Sequence, residues 1–269
     1  MEIIYAAFLG FLQGATEFLP VSSSGHLVLV QEFFHIALGG LAFDVTLHIG
    51  TLLAILVYFR DDFHKLGRAF FFLERGERGN KLRRQIFYII IATIPAVISG
   101  ILLEDRAETT FRSPLLVAFT LSAAGFMLWL GERRGTRSKS YESMRLRDAV
   151  IIGLAQAVAI IPGVSRSGST MTAGLFLGLE RPACALFSFL LSAPIIFGAG
   201  IYKIPQILSQ GIDGRQSFFY FTGFVSSAIF GYLFIAFLMR FVRTRSLAVF
   251  AYYRFILSAL VVAALVMGY

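Results

Sequence analysis

Charge is scarce in this chain. Asp, Glu, Lys and Arg make up 15% of its 269 residues, against 57% hydrophobic residues and a mean hydropathy of +0.75. That balance excludes an ordinary soluble domain and points to lipid as the solvent. Cysteine is nearly absent: Cys184 stands alone, so no intramolecular disulfide can form, and its place at the start of an apolar run suits a small apolar filler. The N-terminus lacks the basic region of a secretory signal. Met1-Glu2 leads into an apolar stretch carrying Gln13 and Glu17, and the segment is expected to be retained. Residues 31–42 contain no Lys or Arg.

What is present is a series of apolar runs. A helix crossing a hydrocarbon core of ~30 Å needs about 20 mostly apolar residues. Six runs meet that need, near 43–59, 86–103, 115–130, 183–201, 217–239 and 247–267. The net charge of +8 is concentrated between them: eight Lys/Arg in 60–84, six in 131–147 and three in 240–245. Basic loops of this kind set topology and touch anionic lipid rather than nucleic acid, and the positive-inside rule puts them in the cytoplasm. Segments 31–42 and 104–113 then face outward, the latter setting Arg106 and Arg112 against Glu104, Asp105 and Glu108.

The chain also repeats itself. Laid without a gap over 153–170, residues 10–27 match at six of eighteen positions: Gly10 with Gly153, Gln13 with Gln156, Val21 with Val164, Ser22 with Ser165, Ser24 with Ser167 and Gly25 with Gly168. Two serines and a glutamine among the identities favour duplication over coincidence. Each copy precedes three spans, and an odd number of spans inverts the second half. For the count to agree with the basic loops, 1–36 must enter and leave on the outer side and 148–179 on the inner side. The expected fold is an all-α polytopic membrane protein of one domain, 1–269, with an inverted-topology repeat (about 1–135 and 148–269), six spans and two re-entrant hairpins. Irregular backbone at membrane depth must be buried in protein or line a wet cavity, and opposed hairpins of inverted repeats are where transporters place a binding site.

The residues at these breaks suggest chemistry. Gln13 and Glu17 share a helical face, and an acid at depth needs a cation, a metal or a proton. Ser22, Ser23, Ser24, Gly25 and His26 follow, a turn rich in hydroxyls and N–H groups that suits phosphate, with a histidine able to act as acid or base. The second break, Pro162 to Thr170, places Arg166 opposite Ser23 in the alignment, where a guanidinium can grip phosphate or pair with Glu17. A Ser-capped hairpin with a structural Arg–Glu pair accounts for the charges but leaves the hydroxyl cluster and His26 unexplained. Asp44 and His48 share a face near the outer end of 43–59 and read as an interfacial or mutually bonded pair rather than catalytic groups. Arg254 is expected to snorkel from the last span beside Tyr252 and Tyr253. His35 and His64 are placed in loops.

Three stretches carry a specific resemblance: QGATEFLPVSSSGHL at 13–27, FDVTLHIGTLLAIL at 43–56 and IGLAQAVAIIPGVSRSGST at 152–170. Through them the chain resembles, end to end, the bacitracin-resistance family of undecaprenyl-diphosphate phosphatases. The family's acidic motif falls on Gln13 and Glu17, its Ser-Gly-His element on Ser23, Ser24, Gly25 and His26, and its PGxSRSxxT motif on Pro162, Gly163, Ser165, Arg166, Ser167 and Thr170. Glutamine at position 13 puts in doubt any mechanism that needs two carboxylates there. The resemblance implies an integral protein of the bacterial inner membrane that hydrolyses undecaprenyl diphosphate to undecaprenyl phosphate, recycling the carrier lipid of cell-wall synthesis and conferring bacitracin resistance. It also implies help from a divalent cation, Mg2+ or Ca2+, and Glu17, with Gln13, is expected either to bind that cation or to orient His26. The expected roles are Ser23 as nucleophile with His26 taking its proton, and Arg166 holding the phosphoryl group. Ser22, Ser24, Gly25, Gly163, Ser165, Ser167, Thr170 and Gln13 would line the substrate site, open to the outer face. Direct attack by water is the alternative chemistry, and a secondary transporter or lipid flippase is the alternative class. A homodimer is compatible with the sequence but not implied by it.

Overall fold

The computed structural model describes residues 2–34, 40–209 and 214–268. Its elements are α1 (Glu2–Phe18), α2 (Ser23–Phe34), α3 (Gly40–Tyr58), α4 (Arg60–Phe70), α5 (Gly76–Glu108), α6 (Pro114–Arg134), α7 (Leu146–Val158), α8 (Arg166–Phe176), α9 (Arg181–Ser209), α10 (Gly214–Thr244) and α11 (Ala248–Val266). No β-strand is formed among the described residues beyond one isolated bridge between Lys139 and Leu179. Five helices are long and apolar enough to cross a membrane: α5, α6, α9, α10 and α11. A sixth span results if α3 is counted with α4, from which it is bent by 80°. The chain is a multi-pass helical membrane protein.

Each predicted apolar run maps to one helix, within a residue at the ends of α3 and α11. α5, α6, α9 and α10 overrun their runs because their ends carry polar residues that remain helical outside the lipid, as in α5, where 76–85 holds three arginines and a lysine. His64, expected in a loop, belongs to α4, whose acidic first turn (Asp61, Asp62) and basic last turn (Arg68) complement the helix dipole. His35 and part of the 31–42 segment lie outside the described residues.

The four helices beside the breaks are short, with 17 residues in α1, 12 in α2, 13 in α7 and 11 in α8. At 1.5 Å per residue the last three reach only about 17–20 Å, less than a hydrocarbon core. Packing is related between the halves: α1 lies along α10 as α7 lies along α5, and α10 also packs on α3 as α5 does on α9. Lipid offers no hydrophobic drive to bring helices together, so close approach relies on small residues. Gly10 of α1 supplies it against α10, where a Cβ would come within 2.5 Å of the Gly223 carbonyl oxygen. Gly153, its aligned counterpart in α7, does so against α5, 2.7 Å from the Ala92 carbonyl oxygen.

Glu132, buried at the end of α6, ties the basic side together. It accepts from Arg181 Nε at 2.8 Å and Nη2 at 2.7 Å, from Arg137 Nη1 at 3.2 Å and from the Leu247 N–H at 2.9 Å. This charge-assisted knot fixes the starts of α9 and α11 relative to α6.

Candidate active site

Both breaks turn in the same way. Ser22 and Ser165, aligned in the repeat, have φ values of +76° and +70°, a left-handed conformation rare outside glycine. Each side chain then caps the helix that follows: Ser22 Oγ accepts from the Gly25 N–H at 3.2 Å, and Ser165 Oγ from the Gly168 N–H at 3.1 Å. Each lies close to the serine two residues on, Ser22 to Ser24 at 3.3 Å and Ser165 to Ser167 at 3.2 Å. The strain of two such residues, about 1–3 kcal/mol apiece, is typical of functional turns.

The breaks meet. Gly163 N–H donates to Ser22 Oγ at 3.1 Å, Ser167 Oγ donates to the Leu19 carbonyl at 3.0 Å, and a Cβ on Gly25 would lie 3.2 Å from Gly163 Cα. Gly163 itself, at φ +91°, has no room for a side chain, since Thr120 Oγ1 occupies that place while donating to the Pro162 carbonyl at 2.6 Å. The starts of α2 and α8 thereby converge, and the first-turn N–H groups of both helices favour an anion between them.

Glu17 lies at that junction, 7% exposed. Its Oε2 accepts from Ser23 Oγ at 2.5 Å and from Gln13 Nε2 at 3.1 Å, while Oε1 is paired with Arg166 Nη2. Arg166 is braced by Nη1 donating to the Ser192 carbonyl at 3.2 Å. A half-buried hydroxyl against a carboxylate, with a guanidinium on the carboxylate's other oxygen, is an arrangement able to supply a nucleophile, a base and an anion clamp. The buried Gln13 Oε1 has no hydrogen-bond partner.

Other expected residues sit differently. The Ser23 hydrogen bond goes to Glu17 and not to His26, which is occupied at both nitrogens: Nδ1 lies 2.7 Å from the Ser22 carbonyl oxygen and Nε2 2.6 Å from Tyr253 Oη. Ser22, Ser165, Ser167 and Thr170 are buried and hold the turns in place, Thr170 Oγ1 being 2.8 Å from both the Arg166 carbonyl and Ser188 Oγ. Ser24 is exposed. The N–H groups of Gly25, Gly163 and Val164 are already bonded, whereas those of Ser23, Ser24, Ser165, Arg166 and Ser167 have no protein acceptor.

Two residues given minor roles by the sequence are part of this region. His48 Nε2 lies 3.8 Å from Glu17 Oε2, while its Nδ1 is bonded to the Asp44 carbonyl at 2.8 Å. The spacing of Asp44 and His48 was the only available sign, because a neighbour on another helix cannot be read from one sequence. Arg254 does not snorkel. It is fully buried and donates through Nη2 to the carbonyls of Gly163 at 2.7 Å and Val164 at 2.6 Å.

Residues 6–260 match the family described as bacitracin resistance protein BacA. The chain is 47% identical to the undecaprenyl-diphosphatase of Rubrobacter xylanophilus over 271 residues, covering 99% of this chain and all of the relative. It is 44% identical to the undecaprenyl-diphosphatase of Moorella thermoacetica, with 98% of each chain covered. The undecaprenyl-diphosphatase of Thermomicrobium roseum is also 44% identical, with 96% of each chain covered.

Proposed function

The chain belongs to the bacitracin resistance protein BacA family, and from that membership and its site we infer that it hydrolyses undecaprenyl diphosphate to undecaprenyl phosphate and inorganic phosphate. This reaction returns the carrier lipid to cell-wall synthesis. The observation that carries the catalytic assignment is the contact of Ser23 Oγ with Glu17 Oε2 at 2.5 Å, with Arg166 on the other carboxylate oxygen.

In the reaction we propose, Ser23 Oγ attacks the terminal phosphorus and its proton passes to Glu17. The bond from phosphorus to the bridging oxygen breaks, and undecaprenyl phosphate departs as an anion. Water then attacks the phosphoserine, returning the hydroxyl to Ser23 and releasing inorganic phosphate. Arg166 and the free N–H groups at the starts of α2 and α8 stabilise charge developing on the phosphoryl oxygens, the dominant demand of phosphoryl transfer. Glu17 replaces His26 as the base because the proton it would take is already directed at it.

The divalent cation expected from the resemblance fits two oxygen donors here, the Glu17 carboxylate and the unpartnered Gln13 Oε1. No group of three or more His, Cys, Asp or Glu side chains able to hold a metal occurs among the described residues, so substrate oxygens and water would complete the shell, a usual arrangement for Mg2+. When bound, the cation supplies neutralisation of diphosphate charge.

The finer architecture belongs to the same proposal. Residues 1–36 and 148–179 are re-entrant hairpins of an inverted repeat, with halves at about 1–135 and 148–269 in one domain. Supporting this are the matching Ser22 and Ser165 turns, the short helices beside them and the related packing of α1 on α10 and α7 on α5. With the basic loops in the cytoplasm, the protein lies in the inner membrane and its first hairpin opens to the outer face. The transporter or flippase reading is disfavoured by the relatives, which are named for hydrolysis and not transport. The test is phosphate release from undecaprenyl diphosphate by purified protein in detergent. Ser23→Ala is expected to lose at least about 100-fold in turnover. A Ser23→Ala protein that keeps wild-type turnover removes the covalent step.

A further inference from the structure

Two residues that this reaction does not use are adjacent on α11, and each reaches a different break. Tyr253 Oη lies 2.6 Å from His26 Nε2, and the two rings stack at 6° with centroids 5.7 Å apart. The other imidazole nitrogen faces the Ser22 carbonyl, which can only accept. Nδ1 therefore carries a proton, and in the neutral ring Nε2 is left to accept from the Tyr253 hydroxyl. Held at both nitrogens, His26 is a strut between α11 and the backbone of Ser22, where the chain turns left-handed before the nucleophile.

Arg254 does the corresponding work on the second break. Its Nη2 holds the carbonyls of Gly163 and Val164, while Nε and Nη1 are buried with no hydrogen-bond partner. None of the ion pairs among the described residues includes it. A guanidinium buried without a carboxylate is costly to keep in a membrane and calls for a purpose beyond filling space. The two carbonyls it grips flank the turn from Gly163 at φ +91° to Ser165 at φ +70°. All peptides here are trans, so carbonyls drawn toward Arg254 turn the N–H of Ser165 the opposite way. Ser165 is the cap of α8, whose first residue, Arg166, reaches Glu17.

We propose that Tyr253 and Arg254 are positioning residues of the phosphatase site, through which α11 sets both catalytic turns from one rigid helix. Tyr253 acts through His26 and Ser22 on Ser23, and Arg254 acts through Gly163 and Val164 on Arg166. Neither touches the reacting atoms. The inference rests on the hydrolase reading above.

The experiment measures phosphate release from undecaprenyl diphosphate over a range of substrate concentrations, alongside thermal unfolding, for the full-length protein and two variants. Tyr253→Phe keeps the stacked ring and removes only the hydroxyl. It is expected to lower kcat by about tenfold while KM and Tm stay near wild type, because misplacement of a reacting group affects the attack more than binding. Arg254→Lys keeps the charge but has no planar fork to span two carbonyls, and a loss in kcat of about 100-fold per folded molecule is expected. If both variants match wild-type kcat per folded molecule, with only Tm lowered, the residues are structural and the inference is overturned. If Arg254→Lys fails to fold, Tyr253→Phe decides alone: a wild-type kcat overturns the inference and a selective loss supports it. Absence of phosphate release by the unaltered protein overturns the hydrolase reading and this inference with it. Activity in the unaltered protein and undiminished activity in the variants overturns this inference alone.

Discussion

Replacing Glu17 with glutamine removes two of the duties assigned to its carboxylate, taking the proton from Ser23 and balancing the charge of Arg166. The amide has nearly the same shape and can still accept a hydrogen bond from Ser23, now 2.5 Å from Oε2, but it cannot take the proton. A positioned general base contributes about 10²–10⁴-fold, equivalent to about 3–5 kcal/mol of barrier, and turnover should fall within that range. The same substitution leaves Arg166, whose side chain is 14% exposed, without its counter-ion. Removing one partner of a buried ion pair costs about 3–5 kcal/mol, and the remaining Ser192 carbonyl contact places this case toward the lower end. Thermal unfolding should therefore move down in Glu17→Gln. In the double variant Glu17→Gln with Arg166→Gln it should recover part of the loss, since neither charge is left alone. Phosphate release should recover in neither. The assay pairs phosphate release with unfolding temperature for the two single variants and the double. A Glu17→Gln protein with turnover within about fivefold of wild type and an unchanged Tm would refute both duties at once.

Two further outcomes follow from the geometry. His48→Ala removes a 39% exposed side chain 3.8 Å from Glu17 and should slow phosphate release by no more than about fivefold without lowering Tm; a loss as deep as that of Glu17→Gln would make His48 a principal catalytic group instead. A cysteine at the exposed Ser24 should react with a membrane-impermeant maleimide added outside intact cells or right-side-out vesicles, and labelling only from the cytoplasmic side would contradict an outward-opening first hairpin.

The spans were legible because lipid leaves a long, continuous signal. Every apolar run maps to a helix, and only the ends shift, where residues such as Arg78, Arg83 and Arg84 continue α5 past the apolar limit. The bend of 80° between α3 and α4 was not legible: Arg60, Asp61 and Asp62 mark an end of apolar character, and the direction the chain takes afterwards depends on what Leu66 and Ala69 pack against. Likewise, of the partners of Glu132 only Arg137 is near in sequence; Arg181 and the Leu247 N–H reach it from helices far along the chain.

At the site, residue types were legible and their division of labour was not. The cluster of Ser22, Ser23, Ser24, Gly25 and His26 announces a polar turn, but one sequence cannot say which hydroxyl caps, which reacts and which nitrogen is free. Backbone demand decides it. A turn at φ +76° followed by a helix needs a cap, so Ser22 is consumed by Gly25 and Gly163 and Ser23 is left facing Glu17. The same logic consumes Ser165 in the second break, and the residue that follows the cap there is Arg166. One local structure, occurring twice, thus presents a hydroxyl in one copy and a guanidinium in the other to the same carboxylate. The position after each capping serine differs between the two copies while the turn and its cap are kept, and the proposed chemistry depends on that difference.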